Sequence, residues 1–196
     1  MSELDHFCAF AHYSLKGEEE CKKAGQEAGW RILGLTENVS NVTKLPGGTN
    51  ENARWETEDQ TLLREAPEET GFLPKVYSEL CRSAHPSRYL KDGKHYKIFS
   101  HVTEAVDTKG YLAVGEIRER PESDGRILKV RWYTVEEFSA NLLPSHREGF
   151  AKSMLKMATL HDSFCKHVRE LAPTNAKFCK DYLDVIMEVD QLFVNS

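Results

Sequence analysis

The feature that most constrains this chain is a glycine turn followed by a helix with a marked start and end. Pro46-Gly47-Gly48 breaks any regular element. Thr57 and Gln60 have the spacing of a capping box, so a helix is predicted to begin at Thr57. Gly71 is predicted to end that helix. Segment 45–72 therefore predicts a turn, a polar loop and a helix, in that order.

Three carboxylates follow one another along this predicted helix. Glu65 and Glu68 are three residues apart and Glu65 and Glu69 are four apart, so all three share one helical face. Carboxylates in that arrangement repel one another unless a cation lies among them. Mg²⁺ suits the position because it prefers hard oxygen ligands and completes its shell with water and substrate phosphates. Arg64 and Glu56 are predicted to form an ion pair that orients the cluster.

A glutamate-rich helix face taken alone is usually solvated surface. The surroundings of this one favour a metal site over that interpretation. A Gly-Gly turn lies upstream, Glu56 stands eight residues before Arg64, and Gly71-Phe72 closes the helix. The metal hypothesis therefore depends on the whole of segment 45–72.

The rest of the chain predicts a mixed sheet with helices packed on it, an α/β (α+β) fold. Alternating or aromatic-rich runs predict strands, and capping residues before apolar stripes predict helices. Strands are expected at 6–15, 30–35, 74–82, 95–106, 111–117 and 127–133. Helices are expected at 135–142, at 145–171, and from Thr174 or Asn175 to the end of the chain. Segment 16–29 is either a short helix or a long excursion between strands.

The composition is that of an ordinary globular protein. Of 196 residues, 40% are hydrophobic and 29% charged, and the net charge is −5. That charge argues against a nucleic-acid partner, which requires a basic surface. Five scattered cysteines without a C-x-x-C pair indicate free thiols and neither a disulfide framework nor a zinc site. The first eleven residues contain no long apolar run, so neither a signal peptide nor a membrane span is expected, and the expected location is cytoplasmic.

Segment 48–72 resembles the Nudix box. That motif is a glycine, five residues, a glutamate, seven residues, then Arg-Glu, an aliphatic, any residue, Glu-Glu, any residue, Gly and a hydrophobic residue. The matching positions here are Glu56, Arg64, Glu65, Glu68, Glu69, Gly71 and Phe72. Leu45-Pro46-Gly47-Gly48 resembles the usual approach to the box, and 130–138 resembles the closing strand and helix of Nudix domains. The resemblance to the Nudix hydrolase family covers about 5–157.

Three features depart from the Nudix pattern. Seven residues, not five, separate Gly48 from Glu56, a two-residue insertion that a loop tolerates at little cost. Ala66 replaces the usual bulky aliphatic residue. Pro67 lies inside the helix, where proline costs about 3 kcal/mol and is expected to tilt the Glu68–Glu69 pair relative to Glu65.

The resemblance implies a Mg²⁺-dependent hydrolase, with Mn²⁺ as a substitute, that cleaves a diphosphate bond in a nucleoside diphosphate linked to another group. Glu65, Glu68 and Glu69 would hold the metal, the Gly47 or Gly48 carbonyl would add a ligand, and Glu68, Arg64 and Glu56 would be the catalytic residues. The general base is either a box glutamate or one of Glu116, Glu119 and Glu122, among which spacing does not choose. Trp55 is a candidate for stacking on a base. The substrate stays open among dinucleoside polyphosphates, nucleotide sugars, ADP-ribose, nucleoside triphosphates and diphosphoinositols.

Two further hypotheses stand beside the hydrolase. Ala66 and Pro67 favour a catalytically weak Nudix-fold module that senses a nucleotide or binds a protein. The C-terminal helices would mediate a homodimer, a role that can coexist with catalysis. The predicted organisation is a Nudix domain over 1–160 and a helical extension over 161–196 that packs on it.

Overall fold

The computed structural model describes residues 6–50, 56–103 and 112–194. Within them lie eight strands, which are β1 His6–Lys16, β2 Gly29–Glu37, β3 Thr43–Lys44, β4 Gly47–Thr49, β5 His85–Lys91, β6 Lys94–Thr103, β7 Arg118–Pro121 and β8 Ile127–Thr134. The helices of these residues are α1 Glu18–Lys23, α2 Glu58–Thr70, α3 Pro74–Ser83, α4 Val135–Ala140, α5 Arg147–Leu160, α6 Asp162–Thr174, α7 Ala176–Asp181 and α8 Leu183–Val194. A 3-10 turn at Pro144–His146 precedes α5.

The strands form one mixed sheet in the order β5-β6-β1-β2-β8-β7, with β3 added to β2 and β4 added to β1. β1 and β6 are parallel, and the other pairs are antiparallel. Alternation along β1 sends Cys8 and Phe10 to one face and Ala9 and Tyr13 to the other. Each face is a separate hydrophobic core. α2 and α3 cover the first face and α4 to α8 the second, so the predicted Nudix-like sheet between helices is confirmed.

The helix that carries the three glutamates starts and ends as the sequence predicts. The Thr57 hydroxyl accepts from the Gln60 amide at 3.3 Å, and the Gln60 side chain accepts from the Thr57 amide at 2.8 Å. Gly71 caps the other end with φ +71°, the left-handed conformation that glycine adopts without strain. α2 runs through Pro67 without a break, and its Leu62 is buried against the sheet.

Four expectations about secondary structure are wrong, and one of them is the single last helix from Thr174 or Asn175, which is two helices, α7 and α8, with a turn at Tyr182 between them. Segment 74–82 is the helix α3, because Pro74 fits a first helical turn and the buried Tyr77 and Leu80 recur at helical spacing. Residues 112–117 form turns and no strand, while Tyr111 lies outside the described residues, as do 104–106 and Trp55. The single long helix over 145–171 is two helices, since the backbone of His161 is extended between α5 and α6.

The C-terminal helices share the core of the second sheet face. Phe164 of α6 contacts the rings of Tyr13 and Trp30, with centroids 4.9 Å and 5.1 Å away. Phe178 of α7 and Val189 of α8 are buried in the same cluster. The extension therefore packs on the sheet, while the division into 1–160 and 161–196 stays a prediction. No helix in the described ranges is long and apolar enough to cross a membrane.

Candidate active site

Two glycines in β4 allow the β4 backbone to lie very close to β1 on one side and to α2 on the other. Gly47 has φ +144°, and a Cβ there would lie 2.1 Å from the Cys8 carbonyl oxygen of β1. A Cβ on Gly48 would lie 2.4 Å from Cδ of Glu65. The glycines thus create the space into which the Glu65 carboxylate packs.

Glu69 contacts the same loop at Gly47. Its Oε2 accepts from the Gly47 amide at 2.8 Å and its Oε1 accepts from Lys44 Nζ at 2.7 Å. Burial raises the pKa of Glu69 to about 7, although Lys44 and the Gly47 N–H both favour the ionised form and limit the rise. The charge of Glu65, four residues away on α2, also raises the pKa of Glu69.

Arg64 forms hydrogen bonds with two carboxylates, those of Glu56 and Glu65. Its Nε and Nη2 donate to the two oxygens of Glu56 at 2.8 Å and 3.0 Å, and its Nη1 donates to Glu65. Thr61 Oγ1 donates to Glu56 at 3.0 Å. These hydrogen bonds, led by those to Glu56, raise the pKa of the Arg64 guanidinium. The ion pair expected from sequence is therefore present, and it also fixes Glu65.

Glu68 lies apart from the other two box glutamates. Its side chain is exposed, whereas those of Glu65 and Glu69 lie against the glycine loop. The Arg120 guanidinium donates to the Glu68 carbonyl oxygen through Nε and Nη2, both at 3.4 Å. Within 6–50, 56–103 and 112–194, no three His, Cys, Asp or Glu side chains are arranged to hold a metal ion. The ligand set Glu65, Glu68 and Glu69 therefore stays a prediction.

The chemistry of the donors fits a hard divalent cation. The carboxylates of Glu65 and Glu69 supply hard oxygen atoms from successive turns of α2. A cation bound by them would take its remaining ligands from water and from substrate phosphates, as Mg²⁺ ordinarily does. Arg64 forms an ion pair with Glu65, and Lys44 forms one with Glu69.

Lys44 and His146 are two site residues that sequence reasoning missed. The His146 Nδ1 accepts from the Leu45 amide at 3.2 Å and so anchors the start of the glycine loop. Burial, assisted by the Lys44 charge, lowers the pKa of His146 to about 4. The orientation of Lys44 could have been predicted from the sequence. Lys44 lies between the buried Thr43 and Leu45, so its side chain must face the other side of the strand. His146 gave no local signal, since it lies 101 residues from Leu45 in the chain.

The three distant base candidates lie near or on β7. Glu116 Oε2 accepts from the Ala113 amide at 3.0 Å, within its own turn. Glu119 lies between Arg118 and Arg120, which both donate to backbone carbonyls at the end of α2. Side chains alternate along a strand, so Glu119 faces away from α2. The amide of Glu122 bonds to the carbonyl of Arg126 in a tight turn.

A protein-family model described as the NUDIX domain matches residues 26–155, more than half of the chain. The chain therefore belongs to the NUDIX domain family, as the box at 48–72 predicted. In general terms it is a Nudix hydrolase, a class that acts on phosphorus-containing anhydrides, typically with divalent metal ions and nucleotide-like substrates. No curated protein matches the chain.

Proposed function

We propose that the protein hydrolyses a diphosphate bond in a nucleoside diphosphate linked to another moiety, with Mg²⁺ as its metal and Mn²⁺ as a substitute. One observation carries this proposal. Glu65 and Glu69, four residues apart on α2, both lie against the Gly47–Gly48 loop, and Arg64 holds Glu65 there. Paired carboxylates beside a glycine loop are what a hard cation and a diphosphate require.

Glu65, Glu68 and Glu69 are the proposed metal ligands. When bound, the metal would neutralise the diphosphate and lower the pKa of the attacking water. Arg64 would keep Glu65 in place by holding Glu56 with two hydrogen bonds and Glu65 with a third. The Gly47 amide would do the same for Glu69 through its 2.8 Å hydrogen bond.

Glu68 is also the proposed general base, through the carboxylate oxygen that does not bind the metal. Its exposed side chain is open to a substrate and to water, whereas those of Glu65 and Glu69 are turned inward. The water oxygen would form a bond to phosphorus as Glu68 takes the water proton, and the bridging oxygen would leave with the other phosphate. The orientation of Glu119 away from α2 supports a base inside the box over one on β7.

The experiment is product release from a panel of diphosphate compounds at about 5 mM Mg²⁺, a level that fills weak magnesium sites. The panel contains the five substrate classes left open by the sequence. The double variant Glu68→Gln, Glu69→Gln is the control. Turnover that disappears in the variant supports the proposal and identifies the substrate class. Absence of turnover with every compound would contradict it.

A nucleotide-sensing or protein-binding module is the second candidate. Lys44 and Arg64 form ion pairs with Glu69 and Glu65, which hold both carboxylates in place through the protein's own side chains. Pro67 inside α2 favours the same interpretation. Folded protein that binds a panel nucleotide without hydrolysing it would support the module and exclude the hydrolase.

Homodimerisation through α8 is a further part of the proposal. Leu183 and Met187, one helical turn apart, are 50% and 53% exposed, whereas Val185, Ile186 and Val189 belong to the core. Deleting the last helix would therefore uncover the core. The better test is the double variant Leu183→Glu, Met187→Glu in size-exclusion chromatography with light scattering. A dimer that becomes a monomer supports the interface, and an unchanged mass contradicts it.

The proposed location is the cytoplasm. Cys8, Cys21, Cys81, Cys165 and Cys179 are all free thiols. Free cysteines are typical of a reducing compartment. Cell fractionation that places the protein in an oxidising compartment would contradict this assignment.

A further inference from the structure

Lys44 occupies a position that the Nudix box does not specify, in direct contact with a proposed metal ligand. Its Nζ lies 2.7 Å from Oε1 of Glu69. The Lys44 side chain is 19% exposed and that of Glu69 is 10% exposed, so the pair is largely shielded from water. An ion pair in that setting is much stronger than one on the surface, where solvent and salt screen the charges.

Hydrogen bonds fix the backbone on both sides of Lys44, so the position of its ammonium group is restricted. Lys44 pairs with Leu35 in the sheet. On one side, Thr43 Oγ1 donates to the Phe138 carbonyl at 2.7 Å. On the other side, the Leu45 amide donates to His146 at 3.2 Å. The contact with Glu69 is therefore built into the sheet and its supporting helices.

Both oxygens of Glu69 accept hydrogen bonds from the protein itself. The Gly47 amide donates to Oε2 at 2.8 Å, and Lys44 takes Oε1. A divalent ion bound through Oε1 would lie close to the ammonium group, and two cations at that separation repel strongly. The ion and Lys44 therefore compete for that oxygen.

We propose that Lys44 is a resident counter-cation of the metal site. It positions Glu69 when no divalent ion is bound, and it competes with the ion for that carboxylate. The assignment of Glu69 as a metal ligand rests on the proposed function. Lys44 is thus a positioning residue, and its presence would set the metal affinity of the site below that of the same carboxylates without it.

The test is Mn²⁺ binding measured by isothermal titration calorimetry at one fixed pH, on the full chain. Lys44→Met removes the charge and the donor and keeps the length, Lys44→Gln removes the charge and keeps a donor, and Lys44→Arg keeps the charge. We expect the Met and Gln variants to bind Mn²⁺ about tenfold more tightly than the wild type, because the repulsion is gone. The Arg variant is expected to stay within about twofold of the wild type, since its charge is unchanged.

Thermal unfolding in EDTA supplies a second readout. Without Lys44, the Glu69 carboxylate is buried without its cation, so Lys44→Met should melt at a lower temperature than the wild type. Saturating Mn²⁺ should reduce that difference, because the ion then takes the place of the ammonium group.

The outcomes separate this inference from the proposed function. If the wild type binds Mn²⁺ as tightly as the Met and Gln variants, or more tightly, the proposed role of Lys44 is overturned. The proposed function is not affected by that result. Binding by those variants but not by the wild type would support the role of Lys44 and contradict a metal-dependent wild-type enzyme. Binding by none of the proteins would overturn both.

Discussion

The carboxylate of Glu65 packs directly over the backbone of Gly48, so closely that a Cβ on Gly48 would lie 2.4 Å from Cδ of Glu65. The two residues come from different elements, β4 and α2, and Arg64 holds the glutamate from its other side. The glycine loop and the glutamate helix therefore form one unit, in which a change to the loop displaces a proposed metal ligand.

The first prediction concerns Gly48. Gly48→Ala should push the Glu65 side chain away from the loop, because only that side chain can yield to the new Cβ. We expect diphosphate hydrolysis to fall by about 10- to 100-fold, the usual loss when a metal ligand is misplaced. Gly17→Ala is the matched control, since Gly17 has φ −78° and no atom within 4 Å of an added Cβ. Equal rates in the two variants would contradict the close packing of Gly48 and Glu65.

The second prediction concerns Arg64. The guanidinium reaches Glu56 and Glu65 together, and a lysine ammonium cannot reproduce that geometry. Arg64→Lys should therefore lower kcat by about 10- to 100-fold, with a smaller effect on KM. Arg82→Lys at the exposed end of α3 is the control and should retain the wild-type rate. Steady-state kinetics decide the question, and an Arg64→Lys variant with wild-type kcat would show that Arg64 only contributes charge.

The third prediction concerns the pH dependence of stability. Burial lowers the pKa of His146 to about 4, whereas the unfolded chain binds this proton near 6.5. At this residue the unfolded state therefore binds more protons below pH 6.5, and the contribution of His146 to the free energy of unfolding decreases as the pH falls towards 4. The full contribution is about 3 kcal/mol. It is present above pH 6.5 and lost as the pH falls through the folded-state value.

His146→Asn isolates that contribution, because the Asn side-chain oxygen can still accept from the Leu45 amide but does not titrate. Urea unfolding of both proteins from pH 7 to pH 4 is the measurement. The variant should lose less stability across this range than the wild type. Parallel curves would show that the pKa of His146 is the same in the folded and the unfolded protein.

The fourth prediction concerns the C-terminal helices. Phe164 is fully buried and contacts Tyr13 and Trp30 of the sheet. Phe164→Ala should destabilise the protein by about 3–5 kcal/mol in urea unfolding, because it leaves a cavity in the core. Lys166→Ala on the exposed side of α6 should change stability by less than about 0.5 kcal/mol. Similar effects of the two substitutions would mean that the extension does not share the core of the domain.

Sequence periodicity predicted those parts of the site that are local. The three- and four-residue spacings of Glu65, Glu68 and Glu69 predicted a shared helical face, and Thr57 predicted the start of the helix. The same reasoning did not predict that Glu68 is exposed while the adjacent Glu69 is buried. That difference depends on how α2 is rotated relative to the loop.

The parts that sequence missed depend on long-range contacts or on ambiguous short runs. His146 reaches the loop from 101 residues away, so no local pattern could reveal it. Segment 74–82 contains apolar residues that suit either a strand or a short helix, and packing on the sheet beside α2 selects the helix. The helical pattern around His161 was continuous in sequence, but its backbone is extended in the structure.

Hydrolysis of a diphosphate bond is proposed to require the box carboxylates and a divalent ion together. The deciding measurement is the initial rate of the best panel compound with Mg²⁺ and with EDTA, for the wild type and for Glu65→Gln. We expect turnover by the wild type in Mg²⁺, none in EDTA, and a loss of at least about 100-fold in a folded Glu65→Gln variant. Turnover that persists in EDTA, or that is unchanged in Glu65→Gln, would contradict it.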